Sequence, residues 1–326
     1  MLSSSILIAS FRRPRQLAKC LDGIARQTLP PDEVIVVWQH DDEETRELAM
    51  HFLPHFEERL KLIHSPIIGI VPAENKGLES AKGEIIVLID DDAVAPDNWL
   101  ANHLRHYHDK TTGAVGGPAL NHNPSGQRFP IQRVREMGKL KWYGKFVGHL
   151  SDSILNDRNQ SVVKVDGLAG NNMSFRRLAL QQFDENMHDY WQLFELEACQ
   201  QVRLRGLRVL FDLDNPVRHY PASQNKVYDT TREGNQTQKF FNAAYNHAYI
   251  LSKYTEGVLR AVRLFYLIAI SSIPLPGPIK FPLAVWRYGH PVRELQIMIG
   301  TLKAHWEGWQ DGKYTRQKCR YDKHLA

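Results

Sequence analysis

Cysteine is scarce: Cys20, Cys199 and Cys319 lie far apart and no CxxC pair occurs. No disulfide framework and no zinc site of standard spacing can be assembled from them, so a reducing compartment is expected. Long apolar runs are also missing. Leu264 to Leu275 (LFYLIAISSIPL) extends for 12 residues, short of the roughly 20 that cross a bilayer as a helix. The N-terminus enters the strand-like Ile6-Leu7-Ile8 with no cationic lead into an apolar stretch. That argues against a secretory signal and for the cytosol. Repeats and low-complexity tracts are absent. Charge of one sign is not dominant either: 41 Lys and Arg stand against 36 Asp and Glu, giving +5 and a pI near 9.0. This balance suits anionic partners without choosing among them. The basic residues are scattered and no recognition motif accompanies them, so nucleic acid is not expected as a partner.

With 326 residues, 43% of them hydrophobic, the chain can form one large α/β domain with an appendage, or two modest domains. Its first ninety residues alternate between strand-like and helical segments. Ser5–Ala9 and Glu33–Trp38 (EVIVVW) read as strands, Lys61–His64 as a short one, and Glu84–Ile89 (EIIVLI) as the strongest. Between them, Leu17, Leu21 and Ile24 recur at helical spacing after Pro14, residues 43–53 read as a helix, and Ala73–Lys82 as another ended by Gly83. Near-continuous apolar strands separated by amphipathic helices imply a mainly parallel sheet with helices on both faces, a Rossmann-like arrangement. Asn121–Phe129 is turn-rich, Val162–Tyr220 forms a second compact stretch, and the chain from about 226 onward is helical and aromatic, interrupted by Pro274, Pro276, Pro278 and Pro282.

Asp90, Asp91 and Asp92 follow the strongest strand directly. Ligands of parallel sheets sit beyond such carboxyl ends. Three adjacent carboxylates repel one another unless a cation intervenes, and hard oxygen ligands suit Mg²⁺ or Mn²⁺, which can bridge phosphate oxygens. The alternative is a solvated acidic turn before a helix beginning near Pro96–Trp99.

The passage Asn75-Lys76-Gly77, Ala81-Lys82-Gly83-Glu84, IIVLI, Asp90-Asp91-Asp92, Pro96 and Trp99-Leu100 resembles the nucleotide-binding core of the family 2 glycosyltransferases. Ile8-Ala9-Ser10-Phe11-Arg12-Arg13-Pro14, Cys20-Leu21 and Gln27-Thr28-Leu29-Pro30-Pro31 are similar to that family's first strand, helix and loop. The likeness extends over about residues 5–220. It implies a GT-A fold and inverting transfer of a sugar from a nucleotide-diphosphate donor, most simply a UDP-sugar, to a hydroxyl of a glycan, polysaccharide or lipid-linked acceptor. It implies Asp92 as metal ligand, Asp90 or Asp91 at the ribose or diphosphate, and Ser10, Arg12, Asp41 and Asn75 beside the nucleotide. The family's Asp after the second strand is replaced by Trp38-Gln39-His40 before Asp41 and Asp42, and Trp38 reads as core or as a base-stacking ring. Gly167–Arg177 resembles the acceptor-side loop and strand, which brings in Asn171, Asn172 and Met173. The family's acidic helix start corresponds to the stretch from Tyr190 to Gly206. There Glu195 takes the position of the catalytic base, Phe194 replaces the acidic residue before it, and Glu197 is the second acidic position, on the acceptor side. Residues two apart on a helix do not share a face, so one of the two is expected to reach the acceptor, and Glu195 is assigned. His219 matches a metal-proximal His of some members.

The resemblance divides the chain into a catalytic domain over 1–225, with a nucleotide half to 118 and an acceptor half beyond it, and a helical region over 226–326. Arg260 and Arg263 before the 264–275 run, and Lys280, Trp286, Arg287 and Tyr288 after it, suit a helix lying peripherally in a membrane interface. A helical hairpin packed on the catalytic domain or on a second subunit of a homo-oligomer is the other reading. Two rival functions stand beside transfer. A nucleotidyltransferase is disfavoured because Arg12-Arg13-Pro14-Arg15 lacks the glycine of a triphosphate loop. A non-catalytic nucleotide-sugar-binding or scaffold protein is kept by Phe194 and Trp38.

Overall fold

The computed structural model describes residues 2–123, 125–148, 150, 153–155, 160–188, 193–221, 236–272 and 274–325. They fall into two compact units: Met1–Lys139 with Val147–Asp184 and Glu195–Ser223, and a second made of Leu140–Phe146, Glu185–Phe194 and Gln224–Ala326.

The first unit is built on an eight-stranded sheet. β1 (Ser4–Ser10), β2 (Glu33–Gln39), β3 (Leu60–Ser65) and β4 (Ile85–Ile89) pair in parallel in the order β3-β2-β1-β4. All five residues of β4 are buried, as a strand covered on both faces requires. Outside this sheet lie β5 (Ala93–Val94), β7 (Ala119–Asn121), β8 (Gln132–Val134), β9 (Lys139–Leu140), β10 (Phe146–Val147) and β11 (Ser153–Leu155). β6 (Thr112–Gly116), β12 (Val162–Lys164), β13 (Asn172–Arg176) and β14 (Arg208–Asp212) complete it, with β13 inserted antiparallel between β4 and β6. β15 (Val217–His219) pairs antiparallel with β5 and parallel with β7 in a separate three-stranded sheet.

Helix α1 (Pro14–Ala25) carries proline at its first position and turns Leu17, Cys20, Leu21 and Ile24 into the core. α2 (Glu43–His51) is capped by Asp42, which accepts from the Thr45 N–H at 3.2 Å. After the short α3 (Leu53–Phe56) comes α4 (Ile70–Ser80), which starts three residues before the expected Ala73. Pro72 sits in its first turn, where a missing N–H leaves nothing unsatisfied. α4 packs so closely on β1 that a Cβ at Gly77 would lie 2.0 Å from the Leu7 side chain. α5 (Trp99–Arg105) and α6 (Phe194–Leu204) follow.

The second unit is helical: α7 (Gln236–Tyr254), α8 (Leu259–Phe265) running into a π turn over Tyr266–Ile270, α9 (Phe281–Tyr288) and α10 (Pro291–Leu325). Ala248, Leu251, Tyr266, Leu267 and Trp309 form its core. Glycines bring α7 and α10 together. A Cβ at Gly300 would lie 2.2 Å from the Phe241 ring, at Gly308 2.2 Å from the Tyr245 carbonyl, and at Gly312 2.3 Å from the Tyr249 carbonyl. Within the 264–275 segment Tyr266 and Leu267 are inside the helical core, while Phe265 is exposed. Among the described residues no helix is long and apolar enough to cross a membrane.

Candidate active site

The carboxyl ends of β1, β2 and β4 meet the loop before β5, which places Ser10, Gln39 and the triplet Asp90–Asp92 together. The triplet is held by chemistry from a distant part of the chain. The Ser10 hydroxyl donates to Asp91 Oδ2 at 2.7 Å, and one guanidinium nitrogen of Arg13 reaches Asp91 Oδ1 at 3.0 Å and Asp92 Oδ2 at 3.1 Å. Asp91 is therefore turned inward and neutralised, as a buried carboxylate must be. Next to it, the Arg12 backbone adopts φ 54° and donates its N–H to Asp42. Asp42 thus ties the first loop to the second while capping α2. Arg12 and Asp41 pair at 3.1 Å on the surface, both substantially exposed.

β15 brings His219 to the other side of the triplet. Its Nε2 lies 2.9 Å from Asp92 Oδ1 and 3.7 Å from Asp90 Oδ2, while Nδ1 stands 2.6 Å from Asn121 Oδ1. The tautomer that donates Nδ1–H to Asn121 leaves Nε2 facing the two carboxylates, the orientation seen for metal-ligating imidazoles. Ligand atoms of Asp90, Asp92 and His219 all lie within 4.8 Å of one another. Two carboxylates and an imidazole fit a divalent ion such as Mn²⁺ or Mg²⁺. Without a cation the cluster titrates unusually. Burial first, then the Asp92 charge, raises Asp90 to about 6. Burial alone would lower the His219 pKa, but the Asp92 hydrogen bond and the Asp92 and Asp90 charges outweigh it and raise it.

Glu195 occupies the first turn of α6. Its Oε1 accepts the Gly170 N–H at 3.0 Å. Burial pushes its carboxyl up to about 7, against the lowering pull of backbone N–H groups and with a further upward push from the Asp90 charge. A carboxylate with that pKa is suited to taking a proton near neutrality. Glu74, on α4, lies within reach of the charges of Asp90 and Glu195. It is buried, its Oε2 has no hydrogen-bond partner, and its pKa is raised well above the ordinary value by burial and then by the charges of Asp90 and Glu195.

Residues 5–182 match the sequence model of Glycosyl transferase family 2. The chain belongs to that family. Among this family 2 chain's relatives, a putative glycosyltransferase EpsH of Bacillus subtilis is 29% identical over 124 residues, which is 38% of this chain and 36% of the relative. A PGL/p-HBAD biosynthesis glycosyltransferase of Mycobacterium bovis is 28% identical over 183 residues, 54% of this chain and 65% of the relative. The chain thus spans less than two thirds of the length of these curated relatives. In solved structures, the fold resembles GalNAc-T7 with UDP, GalNAc and Mn²⁺ (TM-score 0.62, 15% identity, 82% of this chain and 50% of that one). It also resembles the mannosyltransferase PcManGT of Pyrobaculum calidifontis with GDP-Man and Mn²⁺ (TM-score 0.56, 17% identity, 95% and 87%). The architecture is GT-A.

The family 2 chain brings Ser10, Asp90, Asp91, Asp92 and His219 into contact, pairs Arg12 with Asp41 at the surface, and sets Glu195 within reach of the Asp90 charge. It does not bring all the expected residues there. Asn172 is fully buried: its Oδ1 accepts from Trp99 Nε1 at 2.9 Å and stands 2.9 Å from His103 Nε2, and its Nδ2 donates to the Asn215 carbonyl at 2.8 Å. Its role is to lock β13 to α5, not to touch an acceptor. Met173 is buried in the middle of the sheet. Asn75 spends its amide on the Phe183 backbone, at 2.9 and 2.8 Å, and Glu197 is buried with Gln201 donating to it at 3.0 Å. All four were expected at ligands because the motif spacing was right, yet β13 is covered on both faces, which buries Asn172 and Met173 on opposite sides of it, and rotation along the helices turns Asn75 and Glu197 inward. Asn171 is half-buried beside Gly170, and its Oδ1 has no hydrogen-bond partner. Trp38 is half-buried and stacked on His64, ring centroids 4.1 Å apart. Of the expected 190–206 segment, 190–192 lie outside the described residues.

Proposed function

We propose that this chain moves a glycosyl unit from a nucleoside-diphosphate sugar to an acceptor hydroxyl, with inversion at the anomeric carbon. The observation that carries the reading is the half-buried Glu195, fixed by Gly170 N–H, held at about 7 and near enough to the Asp90–Asp92–His219 cluster to feel the Asp90 charge. Glu195 takes the acceptor's proton as its oxygen forms the new bond to the anomeric carbon, and the nucleoside diphosphate leaves from the opposite face with the electrons of the broken C–O bond. A divalent cation held by Asp90, Asp92 and His219 would supply charge stabilisation to the departing diphosphate. Ser10 and Arg13 keep the triplet in register, Arg13 by binding Asp91 and Asp92 together. Arg12 and Asp41 form the rim on the nucleotide side. Asn171 offers its amide to a sugar hydroxyl. A UDP-sugar is the expected donor and a glycan or lipid-linked glycan the expected acceptor.

The test is transfer and donor hydrolysis across UDP-, GDP- and dTDP-sugars with Mn²⁺, Mg²⁺ or EDTA, on the native chain, Asp92→Ala and Glu195→Gln. Metal-dependent turnover abolished in both variants, with donor binding retained in Glu195→Gln, supports the roles and names the donor. Metal-dependent donor binding without turnover toward any acceptor would favour a non-catalytic nucleotide-sugar-binding protein. No donor binding at all would overturn both.

A further inference from the structure

The helical unit exposes an apolar face that its own core does not use. On α10, Glu294, Thr301, Ala304, His305 and Trp309 are buried, whereas Val292, Leu295, Ile299 and Trp306 are exposed. Steps of three, four and seven residues put these four on one side of the helix. α9 adds Leu283 and Trp286, the latter 81% exposed. Two indoles, Trp286 and Trp306, left in water on a unit whose core holds Tyr266, Leu267 and Trp309 mark a contact surface.

The charge around this face says what covers it. Between residues 257 and 306 there are six Lys and Arg and one acidic residue, Glu294, and Glu294 is buried. Arg287, Arg293 and Lys303 are exposed around the apolar stripe. The next carboxylate along α10, Glu307, is exposed and lies 3.9 Å from Lys303. A second copy of this chain laid on the face would set cations against cations. A surface of anionic headgroups over hydrocarbon matches both halves of the pattern: the indoles and aliphatic side chains enter the headgroup boundary and the cations stay with the phosphates.

We propose that α9 and the first half of α10 dock the protein on an anionic lipid bilayer, lying along its surface without crossing it. The inference is independent of catalysis, because it concerns the helical unit alone. The experiment is flotation of the full chain with vesicles of phosphatidylcholine, with and without phosphatidylglycerol. The native chain is expected to float with the anionic vesicles and far less with the neutral ones. Trp286→Ser with Ile299→Ser should weaken that binding by at least about tenfold. Arg287→Glu with Arg293→Glu should remove the preference for anionic vesicles, at about fivefold per charge. All the substituted side chains are exposed, and an unchanged unfolding midpoint shows that each variant keeps its fold. A native chain that stays in the aqueous fraction with both vesicles overturns the proposal. So does a Trp286→Ser, Ile299→Ser variant that floats like the native chain. A native dimer in lipid-free sedimentation that the same variant dissociates would assign the face to a second copy instead.

Discussion

Replacing Glu195 by Gln keeps the shape and the acceptor of the Gly170 hydrogen bond but removes the titrating group. Two consequences can be worked from its position. The first is kinetic: a lost general base lowers kcat by about 10²–10⁴-fold, while donor KM stays near its native value. The native kcat/KM should rise with pH through about 7 and level above it, because the deprotonated form is the active one, and the variant should lose that limb. The second is thermodynamic. In the unfolded chain the group ionises at 4.5, and in the folded protein at about 7. Between those values the folded state holds a proton that the unfolded state has released, so this residue lowers stability as pH rises from 4.5 to about 7 and leaves it level beyond. The shift amounts to about 3 kcal/mol at full ionisation. Glu195→Gln should therefore be more stable than the native chain above pH 7, by up to about that amount, and should show little gain below 4.5. Urea unfolding across the pH range, beside initial rates on the same preparations, reads both. A variant that turned over at the native rate, or whose stability gain did not grow with pH, would refute the assignment.

The metal cluster predicts that Mn²⁺ raises the thermal midpoint of the native chain and not that of His219→Ala or Asp92→Asn, with saturating ion adding about 3 kcal/mol at a hundredfold excess over Kd. Loss of the shift is readable by calorimetry without any substrate. Glu74→Gln replaces a carboxyl whose ionisation burial and the Asp90 and Glu195 charges oppose, so stability should be unchanged or higher. Donor KM, read across sugars, should move several-fold while metal-induced stabilisation stays. Asn172→Ala should cost about 3 kcal/mol in urea unfolding, since it orphans the buried Trp99 indole N–H and the Asn215 carbonyl.

The parallel sheet and the acidic triplet were legible because they depend on local pattern. Apolar runs such as EVIVVW can hardly be anything but buried strands, and a carboxylate cluster at a strand's carboxyl end is already at the ligand side. Counting back from Gly206 singled out Glu195, which the structure places in the first turn of α6 against the Gly170 N–H. What escaped depends on long-range partners. Arg13 sits 78 residues from Asp91, and nothing about an arginine before Pro14 says that it closes the acidic cluster while Arg12 faces water. Glu74 looked like any helix carboxylate until folding set it beside Asp90 and Glu195. Asn172 and Met173 were placed at the ligand for the opposite reason: the motif marks a loop and strand, and only the insertion of β13 between β4 and β6 shows that both of its faces are covered. In the same way the aromatic C-terminal stretch announced helices, but not that Tyr266 would be inside and Trp286 outside.

The glycine contacts between α7 and α10 have a consequence for how such a surface can change over time. With Gly300, Gly308 and Gly312 each meeting α7 at a distance no Cβ could share, the rotation of α10 about its own axis is fixed like a key in a lock. One inserted residue between Gly300 and Gly308 would turn everything after it by about 100°, swinging the buried Trp309 outward and Gly312 off α7. Single substitutions along the outer stripe disturb none of these contacts. Descent can therefore rewrite the outward side of the helix letter by letter while its phase stays frozen.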